Sequence, residues 1–331
     1  MEKISIIGAG AWGTALAMVA HRAGRDVVVQ AREPEVASGI NDAHENTAYL
    51  PGFILDRAIR AVSNPQEAVS DTDAVLLVTP AQHVRAMAEN LADILPADTP
   101  IVICAKGIEQ TTSALLSEVV SGILPGNRLA VLSGPTFAAE VAANLPTAVT
   151  LACEDTDLGT VLTNALATPH FRIYRSDDII GAEIGGAVKN VLAIACGIVA
   201  GRHMGDNTRA ALITRGLAEI VRLGIAKGAK AQSLMGLAGI GDLTLTCNAL
   251  QSRNYSLGVG LGEGLALDHI LGKRNSVAEG VFTAASVTGL ARMLGVEVPI
   301  CTAVDNILNH NANIDREIAS LLQRPFTSEE F

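Results

Sequence analysis

Aromatic side chains are scarce in this 331-residue chain, where Phe, Tyr and Trp together make up 3 %. Its cores must therefore be built from Ala, Val, Leu and Ile, and the hydrophobic share of 49 % is ample for that. Positive charge is also in deficit: 24 Lys and Arg stand against 34 Asp and Glu, leaving a net charge of −10. That balance argues against nucleic-acid or anionic-membrane binding driven by overall charge, although a few convergent cations could still hold an anionic substrate. The five cysteines (Cys104, Cys153, Cys196, Cys247, Cys301) form no Cys-x-x-Cys and no His/Cys cluster at metal-ligand spacing. They read as reduced thiols, with neither a disulfide framework nor a metal site. Long apolar runs are missing as well. The longest, residues 191–200, contains a glycine and is too short to span a bilayer. A strand is expected within three residues of Met1, which leaves no room for a signal peptide. These absences predict a soluble, cytoplasmic protein.

Glycine is present in an ordered place. Ile4-Ser5-Ile6-Ile7 is a short apolar run, and Gly8-Ala9-Gly10-Ala11-Trp12-Gly13-Thr14-Ala15-Leu16 follows it directly. A helical pattern continues to Ala23, Gly24 stops it, and residues 26–30 read as a second strand. In that setting Gly-x-Gly-x-x-Gly is a dinucleotide-binding turn. Gly8 permits the tight turn, Gly10 lets backbone approach a diphosphate, and Gly13 lets helix and strand pack closely. The diphosphate would lie on the open amides and positive dipole end of the helix. A βαβ turn without ligand is the alternative these residues alone leave open.

Strand and helix alternate through the first half. After an irregular stretch to Gly52, residues 59–62 read as a strand, and Asn64-Pro65 as a cap and first position of a helix. Strands are expected over 74–79, 101–105, 129–133, 147–152 and 171–174, and helices over 81–95, 112–123, 137–144 and 155–167. That order implies a mostly parallel, doubly wound sheet of Rossmann type. Beyond residue 176 apolar positions recur at helical spacing, over 179–201, 208–227, 265–271, 283–294 and 303–308. Glycine-rich loops are expected at 236–241 and 258–264, and a frayed tail over 325–331. The expected fold is thus an α/β domain over 1–176 followed by an all-helical domain over 177–331.

Few titratable groups sit where hydride-transfer chemistry could use them. Lys106, in Ala105-Lys106-Gly107, directly follows an expected strand, at the edge where parallel sheets bind ligands; a solvated loop lysine is the bland alternative. Ser133-Gly134-Pro135-Thr136 likewise follows a strand and could offer amides and a hydroxyl, or be an ordinary turn. Lys189 lies in an apolar helix, with Gly185 and Gly186 three and four residues before it on the same face. Glycine there weakens a helix by about 1 kcal/mol relative to Ala, so either a packed element or a ligand needs close approach. Burial beside such a surface disfavours the ammonium form, which suits a proton donor and acceptor near neutral pH. Asp242, after Gly239-Ile240-Gly241, could pair with a lysine from a loop. Arg253, between Ser252 and Asn254, offers a planar fork suited to phosphate. Glu279 in Val277-Ala278-Glu279-Gly280 has no local assignment. None of the seven histidines pairs with an acid in a way that suggests a relay.

Cofactor choice turns on the end of the second strand. A nicotinamide-binding fold that prefers NAD places an acid there, about 20 residues past the glycines. Here Gln30-Ala31-Arg32-Glu33 puts a cation suited to a 2′-phosphate at the tip, with Glu33 one residue on. NADP(H) is favoured, with NAD(H) accepted.

Together these motifs resemble the bacterial-type NAD(P)-dependent glycerol-3-phosphate dehydrogenases. The resemblance runs from Ile4 to about residue 310, through the glycine turn, Ala105-Lys106-Gly107, Ser133-Gly134-Pro135, Glu183-Ile184…Lys189-Asn190, Gly239-Ile240-Gly241-Asp242-Leu243 and Ser252-Arg253-Asn254. It implies reduction of dihydroxyacetone phosphate to sn-glycerol 3-phosphate, which feeds the glycerophosphate backbone of phospholipids. It makes Lys189 the proton donor/acceptor, with Lys106 and Asp242 beside the reacting group. Gly134, Thr136, Ser252, Arg253 and Asn254 would complete the substrate site. Gly8, Gly10, Ala11, Trp12, Gly13, Arg32, Lys106, Ala138, Arg253, Val277 and Glu279 would contact cofactor, and a homodimer is implied. Ala11 stands where a Ser is common in the family. Rival readings are a reductase of non-phosphorylated keto acids, such as ketopantoate reductase, and a cofactor-binding regulator without turnover.

Overall fold

The computed structural model describes residues 1–272 and 279–325. Val277 lies outside them, as do residues 326–331 of the expected tail. The chain divides into two units, Met1–Lys106 with Leu116–Ile179, and Gly107–Leu115 with Ile180–Phe331.

The first unit opens with β1 (Lys3–Ile7), α1 (Ala11–Arg22), β2 (Asp26–Gln30), α2 (Pro34–Ser38), β3 (Glu45–Asn46) and β4 (Leu50–Ile54). It continues through β5 (Arg60–Val62), α3 (Pro65–Val69), β6 (Ala74–Leu77), α4 (Val84–Ala92), β7 (Ile101–Ile103) and α5 (Leu116–Ile123). It ends with β8 (Leu129–Ser133), α6 (Ala138–Ala142), β9 (Thr147–Ala152), α7 (Thr156–Leu166) and β10 (Phe171–Ser176). Eight strands form one sheet in the order β10-β9-β8-β7-β6-β1-β2-β5. Its pairs are parallel except β8 with β9. The central strands β6 and β7 are wholly buried, as continuous apolar runs in a sheet covered on both faces must be. Asn64 caps α3 as expected, its Oδ1 accepting from the Gln66 amide at 3.0 Å.

Three local expectations for this unit are corrected. Residues 34–52 are not irregular: α2, a π-helical turn over Gly39–Ala43 and the β3–β4 hairpin fill them. Only tertiary contacts organise so short and polar a hairpin. Lys106 does not abut its strand, because β7 ends at Ile103. The helix expected from residue 112 begins at Leu116, and Gly107–Leu115 instead belongs to the second unit, closed by an Ile108–Leu115 bridge.

The second unit is helical: α8 (Ile179–Gly201), α9 (Asp206–Lys227), α10 (Ala231–Leu234), α11 (Asp242–Asn248) and α12 (Arg253–Gly262). Then follow α13 (Leu267–Gly272), α14 (Glu279–Leu294), α15 (Pro299–Asn309) and α16 (Ile314–Leu322). With its 23 residues, α8 has the length and apolar composition to cross a membrane, yet 94 % of its most apolar window is buried inside the protein. The buried polar residues Glu183 and Lys189 break the run in sequence, which made the apolar stretch look shorter than the helix.

The glycines expected to form a loop at 258–264 lie instead mostly within α12. A Cβ on Gly258 would overlap the Ile194 carbonyl oxygen, and one on Gly197 the Tyr255 carbonyl oxygen. Gly201 and Gly262 repeat the arrangement one turn on, and a Cβ on the latter would stand 2.6 Å from the Ile198 oxygen. The spacing of four on both helices forms a smooth seam along which the α8 and α12 backbones touch.

Candidate active site

At the carboxyl edge of the sheet, the chain leaves β1 through Gly8 at φ +116°, a left-handed conformation that L side chains rarely adopt. A Cβ on Gly13 would overlap the Gly8 carbonyl oxygen, so α1 can sit this close to β1 only with glycine there. Above Gly10 nothing lies within 4 Å of where a Cβ would stand. Gly10 precedes α1 without any side-chain cap for its first amides. An open glycine and uncapped amides at a helix N-terminus are the features a diphosphate requires, and the residues fit a dinucleotide. The Trp12 Nε1 is buried without a partner among the described residues.

Further along the same edge, Lys106 Nζ donates to the Gly134 carbonyl at 2.8 Å and to Thr136 Oγ1 at 3.4 Å. Gly134 is at φ +142°, and a Cβ there would stand 3.0 Å from the Val149 Cα. Lys106, Gly134 and Thr136, expected on one site, are therefore in direct contact. Ala138 opens α6 just beyond them. Arg32, one residue past the Ala31 that follows β2, donates to Glu33 Oε1 through Nε at 3.0 Å and Nη2 at 2.5 Å.

In the second unit Lys189 and Asp242 meet as an ion pair of 2.6 Å, Lys189 6 % exposed and Asp242 fully buried. Lys189 Nζ also donates to Thr246 Oγ1 at 3.2 Å, and that hydroxyl donates to the Asp242 carbonyl at 2.6 Å. Asp242 is not in a loop. A π-helical turn over Leu237–Gly241 runs into α11, of which Asp242 is the first residue. The close approach implied by the glycines before Lys189 is that turn, for a Cβ on Gly185 would overlap the Ala238 carbonyl oxygen. The same turn thus sets the height of Asp242 over the lysine.

Ser252, Arg253 and Asn254 are not a loop either. Ser252 caps α12, accepting from the Tyr255 amide at 3.2 Å, and Arg253 is exposed in the first turn. Asn254 Nδ2 donates to Asn190 Oδ1 at 3.0 Å, and its Oδ1 accepts from the Gly280 amide at 3.1 Å, which ties α8, α12 and α14 together. Glu279 is the first residue of α14, beside Gly280, while Val277 lies outside the described residues.

The sequence reading missed Thr246 and Asn46, and quoted Asn190 within a motif without giving it a role. Thr246 and Asn190 stand next to the expected site, and Thr246, four residues after Asp242 on one helix face, was within reach of helical spacing had Asp242 been placed on a helix. Asn46, which braces the glycine turn, is 33 residues past Gly13 with no signal pointing to it. No group of three or more potential metal ligands occurs among the described residues. His21 and His310 do approach acids, Asp56 at 3.5 Å and Asp305 at 3.9 Å, as partly exposed rings at the surface.

Two family models match the chain: the NAD-dependent glycerol-3-phosphate dehydrogenase N-terminus over residues 3–159, and the corresponding C-terminus over residues 178–319. The glycerol-3-phosphate dehydrogenase [NAD(P)+] of Parvibaculum lavamentivorans is 57 % identical over 328 residues, 99 % of this chain and 98 % of its own. That of Caulobacter vibrioides is 54 % identical, covering 99 % of each. The crystal structure of glycerol-3-phosphate dehydrogenase from Coxiella burnetii superposes with a TM-score of 0.94 at 38 % identity, over 98 % of this chain and 99 % of that one.

Proposed function

The chain belongs to the NAD-dependent glycerol-3-phosphate dehydrogenase family, and from that premise we propose how its own residues carry the family reaction. The reaction is NAD(P)-dependent oxidoreduction at a CH–OH group, in which dihydroxyacetone phosphate is reduced to sn-glycerol 3-phosphate. Bound nicotinamide dinucleotide supplies the hydride that goes to C2. Gly8, Gly10 and Gly13, with Ala11 and Trp12 at the head of α1, hold its diphosphate. Arg32 receives a 2′-phosphate and favours NADP(H), while Glu33 accommodates the ribose hydroxyls of NAD(H). Ala138, Val277 and Glu279 complete the cofactor contacts.

As charge develops on the C2 oxygen, the Lys189 ammonium gives it a proton, and in the reverse direction the amine takes the proton back. Asp242 and Thr246 accept from that ammonium and hold it in place for the substrate oxygen. Lys106 adds positive potential at the oxygen, which preorganised charge does without reorganisation. Gly134, Thr136, Ser252 and Asn254 line the substrate. Arg253, at the head of α12, clamps the phosphate and turns remote binding energy into orientation of C2. The buried Lys189–Asp242 pair carries the reading: two charges out of water are kept where a reaction uses one of them. The product feeds the phospholipid backbone, and the working form is a cytoplasmic homodimer, which light scattering checks.

The deciding assay follows NADPH oxidation with dihydroxyacetone phosphate and with unphosphorylated dihydroxyacetone. Lys189→Ala lowers kcat by about 10²–10⁴-fold. Arg253→Ala lowers kcat/KM for the phosphorylated ketone far more than for the other, and equal losses for both would overturn the phosphate assignment.

A further inference from the structure

Asn46 lies on β3, in the hairpin inserted between β2 and β5, and is 1 % exposed. Its side-chain amide donates twice into the glycine turn, to the Ala9 carbonyl and to Thr14 Oγ1, each at 2.8 Å. Its own oxygen accepts from the Tyr49 amide at 3.2 Å, which fixes the amide plane. Thr14 is fully buried, and Ala9 is 6 % exposed.

The Ala9 carbonyl is the other half of the peptide that carries the Gly10 N–H. In a planar trans peptide C=O and N–H point in opposite directions. A carbonyl held inward by Asn46 therefore turns the Gly10 N–H outward. No acceptor among the described residues takes that N–H, and the space above Gly10 is open. Without Asn46, the Ala9 carbonyl keeps only the longer bond from Thr14 Oγ1 at 3.5 Å, and the Ala9–Gly10 peptide can turn about Ala9 ψ and the permissive φ of Gly10. The turn's adaptability is also its weakness, and a rigid donor from outside the motif removes it.

We propose that Asn46 is a positioning residue for the dinucleotide diphosphate: it aims the Gly10 amide at the cofactor from beneath the turn. The inference rests on the cofactor assignment of Gly10 made above, and wild-type binding of NADPH tests that assignment separately. Because the diphosphate is common to both cofactors, loss of Asn46 weakens NADPH and NADH alike. The substrate side is untouched, so the Km for dihydroxyacetone phosphate at saturating cofactor stays at its wild-type value.

The experiment measures Kd for NADPH and for NADH by fluorescence titration in wild type, Asn46→Ala and Thr14→Val, with kcat and both KM values alongside. Asn46→Ala weakens both cofactors by about tenfold, the scale of one net hydrogen bond. Thr14→Val, which removes one of the two acceptors of Asn46 and the long 3.5 Å bond from Thr14 Oγ1 to the Ala9 carbonyl at nearly constant volume, weakens both by a smaller factor, with kcat at saturation retained. If Asn46→Ala does not fold, the Thr14→Val titration decides alone. Unchanged Kd values in a folded variant overturn the proposal, as does a loss confined to one cofactor or an equal rise in the substrate KM. Wild type that binds neither cofactor would instead overturn the cofactor assignment.

Discussion

Arg32 illustrates how little a single exposed charge decides by itself. Its guanidinium is 81 % exposed and already bonded to Glu33, so the pair contributes little to stability in water. In the reading proposed above its role is discrimination, because a 2′-phosphate would offer a stronger, doubly charged partner than the neighbouring carboxylate. Arg32→Ala is expected to lower kcat/KM for NADPH selectively and leave that for NADH near wild type. The ratio of the two constants is the measurement, and an equal loss for both would remove Arg32 from cofactor choice. Lys189 and Asp242 are the opposite case. Both are buried, and neither charge is tolerable there without the other, so the pair is a device for placement and not a source of net stability.

Helix α12 shows what short-range reading mistakes at the scale of an element. Four glycines between 258 and 264 suggest a loop if propensity is read alone. Gly258 and Gly262 are instead helical because tertiary contact rewards the missing Cβ more than helix propensity penalises it. Gly258→Ala is expected to force α8 and α12 apart and to destabilise the protein by about 1–3 kcal/mol or more, as overpacking does. Gly122→Ala is the control: it lies in α5 with nothing within 4 Å of a new Cβ. There the substitution should be neutral, or stabilise by up to about 1 kcal/mol. Urea midpoints of the two variants against wild type make the comparison, and similar losses in both would remove the seam from the account. The β3–β4 hairpin makes the complementary point. Its residues carry no strand signal, yet they deliver Asn46 to the underside of the turn.

At the scale of the whole molecule, the described residues form two apolar cores, one around the sheet and one around α8. The second contains an acid that the reaction does not use. Glu219 is 1 % exposed and accepts from the amides of Ile300 at 2.7 Å and Cys301 at 3.1 Å, at the N-terminus of α15. Burial raises its pKa above the ordinary 4.5, outweighing the two amide bonds that oppose the shift. The folded state therefore binds this proton more tightly than the unfolded chain does. Its contribution is full below about pH 4.5 and is lost as pH rises through the folded value. Glu219→Gln cannot titrate, so the stability of wild type relative to this variant is expected to fall as pH is raised from about 5 to about 8. Urea denaturation at both ends of that range reads it, and a difference constant with pH would show that Glu219 is ionised throughout.

Local chemistry determined much of this. The β1 turn, the parallel order of the strands, the 23 residues of α8 and the residue types able to move a proton all follow from patterns shorter than a helix. Backbone conformation and hydrophobic period act over a few residues, and sequence displays both. Lys106 beside Gly134, Lys189 paired with Asp242, Asn254 bridging three helices and Asn46 under the glycine turn were decided only by the tertiary structure. Each of these joins a side chain to a group 26 to 64 residues away. A hydrogen bond needs its atoms within about 3 Å, and only the packed cores bring groups so distant in sequence that close.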